Sequence, residues 1–139
     1  MAPARTVITR FAPSPSGHLH LGHAFAALFA AEGAAVAVVD MDAGRAGAVA
    51  DKIKAAGGEA APITCDVSAP EEISNMVAAA VEVFGGIDIL VNNVAITDRK
   101  DIFALSEDEW RRTIDVTLSS PFYVTKQVAK WMVDNGRGG

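Results

Sequence analysis

The sequence predicts an α/β fold in which helices cover both faces of a four-stranded parallel sheet. Short β-branched or apolar runs alternate with helical patterns along the chain, which is the order of strands joined by crossover helices. The strand candidates are apolar at successive positions, as burial on both faces of a sheet requires. A length of 139 residues, 50% of them hydrophobic, allows one domain with a substantial core and leaves no room for a second of ordinary size.

Four runs predict the strands of this sheet. They lie at residues 6–9, 35–39, 61–65 and 87–91, and the second and fourth are the richest in Val, Ile and Leu. Glycines that follow the helical runs between them are expected to end the helices, because a left-handed residue is favoured at that position. These glycines are Gly33, Gly57, Gly58, Gly85 and Gly86.

Two capping boxes predict where later helices begin. Ser68 is followed by Glu71, with Pro70 in the first turn, and Ser106 is followed by Glu109. The last helix is expected to run from about residue 106 to about residue 135, with a bend at Pro121.

Composition excludes several classes of protein. A formal charge of −5 opposes binding to the nucleic acid backbone, so no nucleic acid partner is expected. The most apolar stretch, residues 24–39, is broken by Glu32 and Gly33, so no membrane span is expected. The single cysteine, Cys65, excludes an internal disulfide and fits a reducing compartment, which together with the absence of an export signal predicts a cytoplasmic location.

Asp40 closes the second predicted strand, Asp66 and Val67 follow the third, and residues 85–95 read Gly-Gly-Ile-Asp-Ile-Leu-Val-Asn-Asn-Val-Ala. With these residues, the sequence from about residue 31 to residue 139 resembles the short-chain dehydrogenases/reductases, whose Asn-Asn-Ala-Gly strand it matches except in the last two residues. The resemblance implies that Asp40 binds the ribose hydroxyls of NAD and that Asp66 and Val67 flank the adenine ring, with Asn92 nearby. It also implies a three-layer α/β/α Rossmann-like fold with parallel strand order 3-2-1-4 and right-handed crossovers.

The turn after the first strand departs from that family. In place of a glycine-rich phosphate-binding turn, the chain has a Pro-Ser-Pro-Ser-Gly loop followed by His20-Leu21-Gly22-His23. This string resembles the opening of the glutamyl-tRNA synthetases and the glutamyl-Q tRNA(Asp) synthetases, with the last four residues as the HIGH motif. The resemblance implies that His20 and His23 contact ATP phosphates and that Arg10 holds a carboxylate.

Together the two resemblances predict an engineered chimera, with a synthetase-like segment of about residues 8–30 grafted into a truncated dehydrogenase of about residues 31–139. The chain is expected to form a single domain of residues 1–139. Within it, the grafted strand, loop and helix would cover residues 6–32, and the dehydrogenase part would cover residues 33–139. The alternatives are a scaffold made to test the fold, which binds no ligand, and a truncated NAD-binding dehydrogenase fragment without activity.

An adenine nucleotide is the expected ligand of the chimera. Pro13 and Pro15 have no amide to donate to a pyrophosphate, so ATP or AMP is favoured and NAD is expected to bind weakly or not at all. Solvated strand ends or helix caps remain the alternative for the two aspartates, and strand-end hydrogen bonding for the asparagine. The expected binding residues are Arg10, Ser16, Gly17, His20, Gly22, His23, Asp40, Asp66, Val67 and Asn92.

No enzymatic activity is expected from this interpretation. The Lys-Met-Ser-Lys-Ser loop of the synthetases is absent, and Thr117 occupies the position of the dehydrogenases' active-site asparagine. The family's catalytic serine and Tyr-x-x-x-Lys pair are not found, since Tyr123 and Lys126 are three residues apart rather than four. No catalytic residue is therefore assigned.

Two further expectations concern a metal and a partner. His18, His20 and His23 could bind zinc adventitiously or be solvated remnants, and no metal site is assigned. Self-association is expected through the last helix or an open edge of the sheet, because the helix carries apolar residues at helical spacing and an unpaired strand edge can accept another chain.

Overall fold

The computed structural model describes residues 6–10 and 21–137. Strands and helices alternate along the chain, as the sequence predicts, and a π-helical turn at Asp115–Ser119 separates the last two helices. The elements are β1 Thr6–Arg10, α1 Leu21–Ala31, β2 Ala35–Asp40, α2 Ala43–Ala55, β3 Glu59–Thr64, α3 Pro70–Phe84, β4 Ile89–Val91, α4 Glu107–Ile114 and α5 Ser120–Asp134.

The sheet is parallel and has the order β3-β2-β1-β4, so the predicted fold class and strand order are confirmed. β1 pairs with β2 from Thr6 opposite Ala35, and with β4 from Val7 opposite Ile89. β2 and β3 are added on one side of β1, and after β3 the chain crosses to the other side of β1 to form β4. The strand order therefore reverses between β1 and β4. In open α/β sheets, ligands bind outside the carboxyl ends of the strands at such a reversal.

β2 separates the two halves of the core. All six of its residues are buried, and successive side chains point to opposite faces of the sheet. Val36 and Val38 pack with α1 and α2, whereas Ala37 and Val39 pack with α3 and α5. Helices thus cover both faces of the sheet, which fixes the ends of the strands relative to one another.

One predicted capping box is confirmed and the other is wrong. At the start of α4, the Ser106 hydroxyl accepts from the Glu109 N–H while the Glu109 carboxylate accepts from the Ser106 N–H. At the start of α3, Ala69 is the N-cap and has no side-chain capping bond. Ser68 instead donates to the Asp66 carboxylate, because Asp66 lies two residues before it in a tight turn.

The predicted helix ends are confirmed at three glycines. Gly33, Gly57 and Gly85 have φ of 87°, 87° and 73° and follow the last residues of α1, α2 and α3. In the part of the chain that the structure describes, no helix is both long enough and apolar enough to cross a membrane.

The last helical segment is divided by a π-helical turn. The Ser120 N–H donates to the carbonyl of Asp115, five residues back, and the buried Ser120 Oγ donates to the carbonyl of Val116 at 2.7 Å. Pro121 lies in the first turn of α5, where its missing N–H is tolerated. The single helix predicted for about residues 106–135 is thus two helices with a wider turn between them, and the bend at Pro121 stays a prediction.

Candidate functional site

The carboxyl ends of β2, β3 and β4 open into one crevice, which we call the β2–β3 crevice. It encloses about 50 Å³ and brings together two carboxylates, one guanidinium and a mainly apolar wall. Its lining comprises Val39, Asp40, Met41, Cys65, Asp66, Val67, Val94, Ile96, Arg112 and Val116.

Asp40 is the last residue of β2 and is 5% exposed, although its side chain is a carboxylate. Its Oδ1 accepts a hydrogen bond from the backbone N–H of Asp42 at 2.9 Å and another from Nη2 of Arg45 at 3.3 Å. Burying an ionised carboxylate is costly unless it is paired and hydrogen-bonded, and both conditions are met here.

Arg45 reaches Asp40 because α2 begins directly after β2. Asp42 is the N-cap of α2, and its Oδ1 accepts from the N–H of Arg45 at 3.0 Å. This bond from the Arg45 N–H is the main cause that lowers the pKa of Asp42. The first turn of α2 thus directs the guanidinium of Arg45 back over the end of β2.

Asp66 follows β3 in a similar turn. Its Oδ1 accepts from the N–H of Ser68 at 2.9 Å and from the Ser68 hydroxyl at 2.7 Å. These bonds lower the pKa of Asp66, and the charge of Arg112 adds to the same effect. The Asp66 N–H donates to Oε2 of Glu72 at 2.7 Å, which ties the turn to α3.

The loop after β4 is held against the helices by two side chains. Nδ2 of Asn92 donates to Oγ1 of Thr125 at 2.9 Å. Oγ1 of Thr117 accepts from the N–H of Ile96 at 3.1 Å and donates to its carbonyl at 3.0 Å. Thr117 belongs to the π-helical turn, so this turn fixes Ile96 at the wall of the β2–β3 crevice.

The structure brings three of the predicted binding residues together at the β2–β3 crevice, namely Asp40, Asp66 and Val67. Asn92 lies just beyond β4, where its amide nitrogen binds α5. Arg10 ends β1, and its roles at the site stay predictions. Val67 also belongs to the core cluster beside α3 and α5.

The predicted synthetase-like residues are only partly described. Gly22 is buried in the first turn of α1, and the half-buried His23 lines a separate cleft between α1 and α2. Ser16, Gly17 and His20, like His18, lie outside the described residues. Their predicted roles in binding a ligand or zinc therefore stay predictions.

Comparison with known proteins identifies the family. The sequence model described as short chain dehydrogenase matches residues 17–139. This chain belongs to the short-chain dehydrogenase family. The family resemblance carried by Asp40, Asp66 and residues 85–95 is thereby confirmed.

Curated relatives agree with this assignment. Galactitol 2-dehydrogenase of Agrobacterium fabrum is 41% identical over 119 residues, which cover 86% of this chain and 45% of that protein. Sorbitol dehydrogenase of Cereibacter sphaeroides is 35% identical over 119 residues, with the same coverage of both chains. The short-chain dehydrogenase described here thus spans about half the length of the curated relatives it matches.

Solved structures of the family share its fold. A short-chain type dehydrogenase/reductase from Mycobacterium marinum has a TM-score of 0.88 and 30% identity, covering 99% of this chain and 53% of that chain. A metagenomic short-chain oxidoreductase in complex with NADP has a TM-score of 0.85 and 26% identity, covering 98% of this chain and 60% of that chain.

The interpretation as an engineered chimera is not supported by these comparisons. The family match begins at residue 17, inside the supposed graft of residues 8–30, and continues to residue 139. The strand-turn-helix order is common to both parent folds, so a short motif in that turn was weaker evidence than a match along most of the chain. The Rossmann-like dehydrogenase part of the interpretation stands.

The expectation of a non-catalytic protein that binds ATP or AMP rather than NAD is wrong. The relatives are named dehydrogenases, and one structural neighbour was solved with NADP. The ligand argument considered only the loop after β1, whereas the ribose of a dinucleotide is bound at the end of β2. The expectation that this is not an enzyme relied on a missing serine and Tyr-x-x-x-Lys pair, but the chain spans only about half of its relatives' length.

Sequence reasoning missed two cations beside the predicted aspartates, Arg45 next to Asp40 and Arg112 near Asp66. Arg45 stands three residues after an N-capping aspartate, and this spacing could have placed it in the first turn of α2 beside the end of β2. Arg112 lies on α4, which is distant in sequence from Asp66, and no local pattern links the two.

Proposed function

We propose that this chain forms the coenzyme-binding half of an oxidoreductase that transfers a hydride between NAD(P) and an alcohol or carbonyl substrate. Membership of the short-chain dehydrogenase family supports the reaction class. The names of the relatives that act on galactitol and sorbitol favour a hydroxylated substrate.

The observation that carries the proposal is the buried carboxylate of Asp40 at the end of β2. A carboxylate in this position of a doubly wound sheet accepts hydrogen bonds from ribose hydroxyls. Asp40 is already oriented for this task, because the Asp42 N–H and the Arg45 guanidinium both hold its Oδ1. No rotamer search is then needed when the ribose arrives, which limits the entropy lost on binding.

The residues around Asp40 suit the adenine ring. Val67 and Ile96 supply apolar surface on the wall of the β2–β3 crevice, and Asp66 supplies a carboxylate at its edge. A flat base with polar edges is bound by this combination of apolar contact and a few fixed polar groups. The side chains that line the crevice therefore match the chemistry of the adenosine end of the coenzyme.

When bound, a nicotinamide coenzyme supplies the hydride or accepts it. The residues of this chain bind and orient the adenosine end, at the loops after β2 and β3. Thr117 holds the loop after β4 at the other wall of the crevice through its two bonds to Ile96. This tether holds Ile96 in the wall of the crevice.

Calorimetric titration of the 139-residue chain tests the proposal. NAD or NADP should bind with saturable heat, and ATP should bind more weakly than either, because it lacks the second half of the dinucleotide. Asp40→Ala should weaken NAD binding at least about tenfold, since hydrogen bonds to a charged group contribute about 1.5–3 kcal/mol.

Asp51→Ala is the matched control, because Asp51 is an exposed carboxylate on α2. This variant should bind NAD as the unaltered chain does. A chain that binds neither coenzyme, or an Asp40→Ala variant with unchanged affinity, would contradict the proposal.

We also propose that copies of the chain associate through the helical segment that begins with α4. Trp110, Leu118 and Phe122 are 55%, 68% and 61% exposed, which is high for large apolar side chains on one segment. Analytical sedimentation should show a dimer or larger species. Phe122→Glu should shift it towards monomer, whereas Lys54→Glu on α2 should leave it unchanged.

The expected cytoplasmic location and the expected absence of a nucleic acid partner stay predictions.

A further inference from the structure

We propose that the cleft between α1 and α2, which we call the α1–α2 cleft, is a second ligand site that binds an aliphatic carboxylic acid. The cleft encloses about 340 Å³, which lies within the range of small-molecule sites. Its side chains are apolar except for those of His23 and Lys52. It shares no lining residue with the β2–β3 crevice, so the inference goes beyond the proposed coenzyme function and does not depend on it.

The cleft is open because short side chains face each other across two helices. Ala27 and Ala31 of α1 are exposed on one side, and Ala56 is exposed at the end of α2 on the other. Ala30 and Ile53 are buried beneath them and pack with β2. An alanine side chain has no rotamer with which to fill the space, so these walls stay in place before a ligand arrives.

The turn after α2 closes one end of the cleft. The Gly58 N–H donates to the carbonyl of Ile53 at 3.0 Å. A Cβ on Gly58 would lie 2.9 Å from Cγ2 of Ile53 and 3.1 Å from Cβ of Ala30, so only a glycine lets the backbone come this close. From His23 to Ala31 the cleft follows α1 for about 12 Å, at about 1.5 Å for each residue. An elongated apolar cleft of this length suits an extended aliphatic chain.

The charge at the rim selects the head group of the ligand. Lys52 is exposed at the cleft, and among the residues that the structure describes no carboxylate lies within ion-pair distance of its ammonium group. None of the described residues that line the cleft is an aspartate or a glutamate. An anionic head group would therefore meet a cation without an opposing charge. A carboxylate at Lys52 with its aliphatic chain over Ala30 and Ile53 satisfies both parts of the cleft.

Calorimetric titration with octanoate tests the inference, with 1-octanol and acetate as probes that lack the charge or the aliphatic chain. Octanoate should bind at one site and more tightly than either of the other probes. Ala27→Leu should weaken octanoate binding about tenfold or more, because the added side chain occupies the cleft. Lys52→Gln should weaken octanoate binding about two- to fivefold and leave 1-octanol binding unchanged, since it removes an exposed charge alone.

Two variants on α2 are the matched controls. Ala48→Leu adds the same side chain at an exposed position outside the cleft, and Lys54→Gln removes an exposed cation that does not line it. Both should bind octanoate as the unaltered chain does, and circular dichroism should show that every variant is folded.

Two outcomes would overturn the inference. One is the lack of saturable octanoate binding, and the other is equal affinity of Ala27→Leu and Ala48→Leu for octanoate. If Lys52→Gln keeps the full affinity of the unaltered chain, the assignment of a carboxylic acid is overturned. NAD binding is measured in a separate titration, so each of these results leaves the proposed function standing.

Discussion

Asp40 and Asp66 occupy equivalent places at the ends of two neighbouring strands, and they differ in what holds them. Each accepts the N–H of the residue two positions later, Asp42 in one case and Ser68 in the other. The second donor to Asp40 is a cation, whereas the second donor to Asp66 is a hydroxyl. Asp40 is buried, and Asp66 remains partly exposed.

The difference shows that the same local turn serves two purposes. At Asp66 the turn satisfies the carboxylate within the chain and leads directly into α3. At Asp40 a buried carboxylate is held at the end of β2 by the half-exposed side chain of Arg45. The carboxylate proposed to bind the coenzyme is thus the one that is paired with a cation.

Replacement of each carboxylate should separate the two purposes, and Asp40 should show the larger effect. Asp40→Ala should lower the free energy of unfolding by about 2 kcal/mol, because the part-buried Asp42 N–H loses its acceptor. Asp66→Ala should cost about 1 kcal/mol, since water can reach the exposed donors of Ser68. Urea denaturation measures the unfolding free energy of both variants. Equal losses in the two variants would contradict the role assigned to the burial of Asp40.

Acid should destabilise the chain through Asp66. Its pKa is lowered below 3.8 in the folded chain, so its stabilising contribution is complete above the unfolded value and is lost as the pH falls below about 4. The difference in unfolding free energy between the unaltered chain and Asp66→Asn should therefore shrink as the pH is lowered from about 5 to about 2. A difference that stays constant over this range would contradict the assigned cause.

The smallest expected effect isolates the hydroxyl at Asp66. Ser68→Ala removes one of the two Ser68 donors and should lower the free energy of unfolding by about 0.5–1 kcal/mol. It should also make the acid dependence shallower, since less of the pKa shift remains. NAD affinity should stay unchanged, and a clear loss would mean that Asp66 binds the coenzyme more directly than Asp40 does.

The elements that could be predicted from the sequence are those set by local chemistry. Four strands, the glycines that end three helices and the capping box at Ser106 follow from patterns within a few residues, whereas the strand order was implied by the resemblance to the family. The box at Ser68 was wrong because Ala69, not Ser68, is the N-cap of α3, and the N–H and the hydroxyl of Ser68 both donate to Asp66.

The site was predicted in part, for a related reason. Asp40 and Asp66 were found through the resemblance to the family, at the ends of predicted strands, whereas their cationic neighbours depend on the path of the chain between elements. The direction of Arg45 is set by the capping of α2, and the approach of Arg112 is set by packing of α4. The ligand itself was mispredicted because a short motif in the loop after β1 was given more weight than the rest of the chain.

The π-helical turn accommodates one extra residue between α4 and α5. A regular α-helix advances by about 100° for each residue, and a turn whose hydrogen bonds span five residues advances by less, so the wider turn takes up the extra residue with little change in the direction of the flanking helices. Thr117 lies within this turn and holds Ile96, so deleting Thr117 should release the loop after β4 while Val124 and Val128 keep their places in the core. The extra residue thus holds the loop without disturbing the packing of α5.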